Sequence, residues 1–247
     1  MGKLNNEIFL SIIVPLFNEE ERLKNIEKIL SFFKKEKLIF EIILVNDGST
    51  DNTLKLVKEL VRKNSQYVKV ISYKKNHGKG FTIKKGMIAS KGQWILFTDI
   101  DLSVPLNEFK KFKKLLSVKK NKILIASRRV KGAKIIVHQS PFRENLGHTF
   151  TKLANSLLGL KCSDFTCGFK MFEKKLAKKI FKKQRLERWA FDAEIIFIAN
   201  RLREPILEIP VRWKNCRDSK VKFPHDLLYS LFELCWIRLN HMRRVYG

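Results

Sequence analysis

A chain of 247 residues and 29.1 kDa is sized for one large α/β domain rather than two small ones. With 45% hydrophobic and 30% charged residues, and Phe the main aromatic at 19 copies, it can bury an ordinary core, which excludes global disorder. Lys and Arg outnumber Asp and Glu by 51 to 24, a formal net charge of +27, and that imbalance implies an anionic partner: nucleic acid, a phospholipid surface or a phosphorylated substrate.

The N-terminus, Met1 to Asn6, lacks the apolar run of a signal peptide, and no apolar stretch reaches the ~20 residues that cross a bilayer; the expectation is a chain neither exported nor membrane-spanning. Ile8 to Val14 reads as a first strand. After Pro15, Leu23, Ile26, Leu30 and Phe33 recur at helical spacing behind the acidic Glu19, Glu20 and Glu21, which suit a helix N-terminus. Ile39 to Val45 is a continuous apolar run fit for a strand covered on both faces. The turn-rich Asn46 to Asp51 then leads into a helix carrying Leu54, Val57, Leu60 and Val61. A third strand, Val68 to Tyr73, precedes Asn76-His77-Gly78-Lys79-Gly80 and another helix, and Trp94 to Thr98 makes a fourth strand ending at Asp99. This alternation predicts βα units around a mostly parallel sheet.

The second half is less regular. It predicts a helix from Leu106 to Leu116, a strand at Ile123 to Ala126, and a polar, basic stretch from Ser127 to His148. Beyond these come a helix over Phe150 to Leu158, a short strand at Gly168 to Phe172, a helix at Phe191 to Leu202 and a strand from Ile206 to Trp213. At the C-terminus Leu227, Leu228, Leu231, Phe232, Leu234, Trp236, Ile237 and Leu239 nearly encircle a helix whose end carries Arg238, His241, Arg243 and Arg244. The domain division is therefore 1–223 for a catalytic unit and 224–247 for an amphipathic helix packed on that unit or on a membrane surface. Cys162, Cys167, Cys216 and Cys235 form no CxxC pair and read as reduced thiols, mostly small buried hydrophobes. The five histidines do not cluster at metal-ligand spacing.

In an open parallel sheet, ligands bind beyond the strands' carboxyl ends, so the polar residues there are the first candidates for chemistry. Asp99-Ile100-Asp101 follows an apolar strand and places two carboxylates where they can share one hard divalent cation, although an Asp-rich turn alone has the same appearance. Together with Val14-Pro15-Leu16-Phe17-Asn18-Glu19-Glu20, Asn46-Asp47-Gly48-Ser49-Thr50-Asp51 and Asn76-x-Gly78-Lys79-Gly80, the pattern resembles the family 2 glycosyltransferases of GT-A fold. That resemblance implies a nucleotide-diphospho-sugar-binding α/β fold in which Pro15, Asn18 and Glu20 shape the nucleotide pocket, Asp47 contacts the base or ribose, and Lys79 lies near the donor. It also implies that Asp99 and Asp101 hold Mg²⁺ or Mn²⁺. Asn46 departs from the second Asp often found there.

Cys167 to Phe172 and Glu187 to Glu194 are similar to dolichyl-phosphate β-glucosyltransferases, and Ser127-Arg128 with Arg143 is similar to dolichyl-phosphate mannose synthases as well. The resemblance implies that Arg128 and Arg143, with Arg129 a weaker candidate, bind the acceptor phosphate, a task suited to the guanidinium fork. A phosphate monoester, with a second pKa near ~6, is already an anionic nucleophile at neutral pH and requires no protein base. A sugar hydroxyl would require one, and Asp192 or Glu194 would then serve. Asp192 is assigned to the donor sugar, completing a catalytic set with Asp99 and Asp101.

The expected activity is inverting transfer of a hexose, glucose from UDP-glucose preferred, to a polyprenyl or dolichyl phosphate at the inner membrane face. Attachment there would be peripheral or through a membrane-protein partner. A GDP-mannose-dependent synthase and a glycan-extending transferase using Asp192 as base are the alternatives. A basic nucleic-acid-binding protein is disfavoured, because no such motif is present.

Overall fold

A computed structural model describes residues 7–118, 120, 122–216 and 225–247. The expected βα alternation forms β1 (Leu10–Leu16), α1 (Lys24–Lys35), β2 (Phe40–Asp47), α2 (Thr53–Lys63), β3 (Val68–Tyr73), α3 (Lys79–Ala89) and β4 (Trp94–Thr98). The second half contributes α4 (Phe109–Leu115), β5 (Ile123–Ser127), β6 (Lys134–Val137), α5 (Pro141–Leu158), β7 (Phe169–Glu173) and α6 (Lys174–Lys183). It ends with α7 (Phe191–Arg201), β8 (Ile206–Pro210), β9 (Arg212–Lys214) and α8 (His225–Met242).

Seven strands make one sheet in the order β3-β2-β1-β4-β7-β5-β8, and β6 pairs with β9 in a small second sheet. The large sheet is parallel except at β7, which runs antiparallel to both β4 and β5. Alternate residues of the central strands face opposite cores, as a pleated strand requires. Ile13, Ile43, Val45, Ile95 and Phe97 face the side covered by α3, α6 and α7. Ile12, Ile42, Leu44 and Leu96 face α1 and α4. The continuous apolar run of β2 is buried at all eight positions, as a strand covered on both faces demands.

Two expectations need correction, and one helix goes beyond them. The helix expected from Phe150 begins at Pro141, because Ser140 caps it, accepting from the Arg143 N–H, and proline fits its first turn; much of the basic stretch is therefore helix, and part is β6. The strand expected from Ile206 to Trp213 is two strands in different sheets, broken after Pro210, which lacks an N–H to continue a ladder. Helix α6 was not expected: six lysines obscure the buried stripe of Leu176, Ala177, Ile180 and Phe181. The expected helix carrying Leu54, Val57, Leu60 and Val61 is α2; Thr53 and Val57 are buried in it, and Leu60 and Val61 are partly buried against the core, because the helix flanks an edge strand.

Helix α8 joins the main core through Leu234 and Ile237, and Tyr246 follows it inward. The boundary at 223 and 224, the segment Met1 to Asn6 and the Leu227 side chain lie outside the described residues. All four cysteines are free; Cys162 and Cys167 are buried, while Cys235 is exposed.

Candidate active site

A cleft of about 1160 Å³ runs past the carboxyl ends of the parallel strands. Pro15 at the end of β1 lines it, but Asn18 and Glu20 do not. Those two side chains stitch the loop after β1 to the loop after β2. Asn18, at a φ of 52°, accepts the Thr50 N–H at 2.8 Å and donates its own N–H to Ser49 Oγ at 2.9 Å. Glu20 accepts the Asn52 N–H at 2.9 Å. Their effect on the pocket is thus through loop shape, and the acidic run instead places Glu19, paired with Arg22 at 2.9 Å, on the cleft wall.

Asp47, the last residue of β2, receives the Asn76 side-chain amide at 2.9 Å and the N–H groups of His77 and Gly78 at 3.0 and 2.7 Å. One carboxylate so organises the entry to α3. Gly78 adopts a φ of 114°, which favours glycine. Lys79 follows, with Nζ 2.7 Å from Asp99 Oδ1. Burial alone would lower the Lys79 ammonium, but Asp99, Asp192 and Asp101 more than offset this and raise it.

Asp99 rests on Gly168. A Cβ at that glycine would stand 1.9 Å from Asp99 Oδ2, so the carboxylate occupies space that any side chain would fill. Asp101 accepts the Ser103 N–H at 2.9 Å, and burial together with the Asp99 carboxylate pushes its own carboxyl above the usual range. Two carboxylates at a strand end, Asp99 paired with Lys79 and Asp101 raised by burial and by Asp99, are a concentration of hard oxygen donors, the donor set that Mg²⁺ and Mn²⁺ prefer. Among the described residues there is no group of three or more metal-ligating side chains. Asp99 and Asp101 are the two strand-end carboxylates in this cleft that could hold such a cation.

Asp192, in the first turn of α7, lines the same cleft. Burial raises its carboxyl, opposed by Lys170 and Lys79. Trp189 lies beside it, with the Lys79 ammonium 6.0 Å from its ring centroid and its indole N–H donated to Asp226 of α8 at 3.2 Å. Glu194, the other candidate base, is buried away from the cleft. It accepts the N–H groups of Arg185 and Leu186 at 2.9 and 2.8 Å and the Tyr246 hydroxyl at 2.7 Å, a structural role.

Arg128, Arg129 and Arg143 all line the cleft. Arg128 Nε and Nη2 each reach a different oxygen of buried Asp164 at 2.7 Å, and Nη2 also reaches Thr166 at 2.8 Å. This pairing raises the Arg128 guanidinium and holds Asp164 down at about 2. Arg129 donates to Thr151 at 2.6 Å, and Arg143 projects from the first turn of α5. His148 shares this wall, its pKa lowered by Arg129 above all and then by burial. Ile135, Leu146, Phe150 and Trp213 add apolar surface to the same cleft. The sequence reading did not single out Asp164, His148, Lys170, Trp189 or Gly168 individually, because their value depends on long-range partners.

Such an arrangement brings together acidic groups able to hold a cation, a lysine beside them and a cluster of arginines suited to phosphate. The model for glycosyl transferase family 2 matches residues 11–181. A dolichyl-phosphate beta-glucosyltransferase of Dictyostelium discoideum is 33% identical over 227 residues, covering 87% of this chain and 69% of the relative. The enzyme of that name from Homo sapiens is 35% identical over 245 residues, covering 94% of this chain and 76% of its own. Mannosyl-3-phosphoglycerate synthase from Rubrobacter xylanophilus superposes with a TM-score of 0.69 at 17% identity, over 96% of this chain and 75% of that one. Glucosyl-3-phosphoglycerate synthase from Mycobacterium tuberculosis, solved with Mn²⁺ and UDP-glucose, gives a TM-score of 0.65 at 16% identity, over 94% of this chain and 78% of that one; these two likenesses concern the fold.

Proposed function

The chain belongs to glycosyl transferase family 2, and from that premise we propose that it transfers glucose from a nucleotide diphosphate sugar, UDP-glucose preferred, to dolichyl or another polyprenyl phosphate. The observation that carries this reading is that one cleft holds both the strand-end pair Asp99 and Asp101 and the arginines Arg128, Arg129 and Arg143. Relatives named for glucose transfer to dolichyl phosphate, 33% and 35% identical over most of the chain, support the choice of sugar and acceptor.

In this reading Asp47 and the loops stitched by Asn18 and Glu20 receive the nucleoside, with Pro15 forming part of the wall. Asp99 and Asp101 hold Mg²⁺ or Mn²⁺. When bound, the cation supplies neutralisation of the charge that develops on the departing diphosphate. Lys79 contributes a fixed positive charge at the same place. Arg128, preset by Asp164, and Arg143 orient the acceptor phosphate, which is already ionised and attacks the anomeric carbon in line, so an α-linked donor yields a β-linked product. Asp192 contacts the sugar. Ile135, Leu146 and Trp213 suit the first apolar unit of the lipid.

No helix among the described residues is long and apolar enough to cross a membrane. Attachment through the described residues is proposed as peripheral, through the exposed Phe142 and Leu153 of α5 and Leu228, Phe232 and Trp236 of α8. Exposed Lys152, Arg238, Arg243 and Arg244 accompany them and suit anionic headgroups. Residues 1–223 then carry the chemistry and 224–247 serve both core and surface.

The test is release of nucleotide from a panel of sugar nucleotides with Mn²⁺ and a short polyprenyl phosphate, with Asp101→Ala as control. Acceptor-dependent turnover of UDP-glucose that the substitution abolishes supports the reading. Turnover with GDP-mannose alone, or none with any donor, overturns it.

A further inference from the structure

Lys170 lies on β7 with its side chain fully buried, yet it carries a charge. Its backbone is in register with Phe97 of β4 and Ile125 of β5, at the centre of the sheet. The ammonium donates to Asp192 Oδ1 at 2.5 Å and to the Cys167 carbonyl at 2.9 Å, and sits 5.2 Å from the centroid of the Phe97 ring. A charge taken this far from water is tolerated only when paired and hydrogen-bonded. Asp192 borders the cleft, whereas Lys170 does not line it; the side chain through which Lys170 reaches the cleft is Asp192.

The other charges facing Asp192 are Lys79 from α3 and Asp99 from the end of β4, with Arg128 after β5 also within electrostatic reach. From α8, Asp226 holds Trp189 and Glu233 accepts the Ala190 N–H at 3.0 Å, just before Asp192. Of all these groups, it is Lys170 that donates a hydrogen bond to an Asp192 oxygen, at 2.5 Å.

Resting on the reading above, we propose that Lys170 is a positioning residue that keeps Asp192 ionised with one oxygen withheld, so that Asp192 grips a hydroxyl of the donor sugar instead of removing a proton from the acceptor. The consequence is selection by acceptor chemistry: a phosphate monoester arrives ionised, while an alcohol finds no base.

The experiment measures transfer from UDP-glucose to a short prenyl phosphate and to the prenol of the same length, from pH 5.5 to 9, in the wild type, Lys170→Gln, Asp192→Asn and the double variant. The wild type is expected to use only the phosphate, with activity rising through the acceptor's second pKa near ~6. Lys170→Gln is expected to raise the donor KM about tenfold, as for loss of a charged hydrogen bond, and to move the acidic limb upward by about one pH unit, because Asp192 then takes a proton more readily. The double variant should match Asp192→Asn alone, and because it buries no unpaired charge it answers the question even if Lys170→Gln does not fold. A wild type that glucosylates prenol as fast as the phosphate, an unmoved KM and acidic limb in Lys170→Gln, or a double variant well below Asp192→Asn overturns the inference. A wild type inactive on prenyl phosphate overturns the functional reading instead.

Discussion

Gly168→Ala tests whether the floor beneath Asp99 sets the geometry of the reaction. The new Cβ would stand 1.9 Å from Asp99 Oδ2 and 2.6 Å from Cγ, against the 3.0 Å below which such contacts do not persist, so the carboxylate must retreat by about 1.1 Å. It is held against retreat by Lys79 at 2.7 Å and by its own N–H, donated to the Gly168 carbonyl at 3.2 Å. A displacement of ~1 Å in a group that positions reactants lowers rate by roughly 10²-fold, about 2.7 kcal/mol of transition-state stabilisation. The expected result is kcat/KM for glucose transfer reduced about a hundredfold, Mn²⁺ affinity weakened in a titration followed by electron paramagnetic resonance, and a far-ultraviolet circular dichroism spectrum like the wild type's. Activity within threefold of wild type, with unchanged Mn²⁺ binding, would refute the argument that Asp99 needs this site.

Three further outcomes follow from charge and exposure. Asp164, held at about 2 by Arg128 against an ordinary 3.8, contributes stability that is present above the unfolded value and is lost as pH falls from about 4 to about 2; the shift corresponds to on the order of 2 kcal/mol. Urea unfolding should therefore show the gap between wild type and Asp164→Asn narrowing over that interval, and a constant gap would disprove it. Glu233 has the opposite sign, since burial pushes its carboxyl up to about 7 from 4.5. Its contribution is full below about 4.5 and is lost as pH rises to about 7, on the order of 3 kcal/mol, so Glu233→Gln should gain on the wild type across that range, and parallel pH curves would count against it. Phe232 and Trp236 are 74% and 51% exposed; replacing both with serine should weaken co-sedimentation with anionic vesicles at least about tenfold, because burying even one such side chain contributes roughly 1.5–3 kcal/mol. Unchanged co-sedimentation would place the contact elsewhere.

The first four strands are readable because each carries a short stretch rich in apolar residues and ends in a polar turn. Val68 to Tyr73 and Trp94 to Thr98 coincide with the observed strands. The second half resists the same reading: α6 hides its buried stripe among lysines, and Pro141 opens a helix where polar residues suggest a loop. At the site, the strand-end aspartates are legible from position alone. The pairing of Lys170 with Asp192 spans 22 residues and that of Arg128 with Asp164 spans 36; neither has a local pattern, since the sheet order that joins them is set by the packing of the whole chain.

Strand β7 has a consequence for biosynthesis. It is made some seventy residues after β4, yet it pairs with β4 on the flank opposite β1, carries the ammonium that meets Asp192, and follows directly on Gly168, the surface under Asp99. On the ribosome, a nascent chain that has emerged only through residue 160 contains β3, β2, β1 and β4 but lacks the strand that pairs with one flank of β4. The halves of the cleft are thus finished together and late, and a truncated product retaining every strand-end aspartate would still lack the support that orders them.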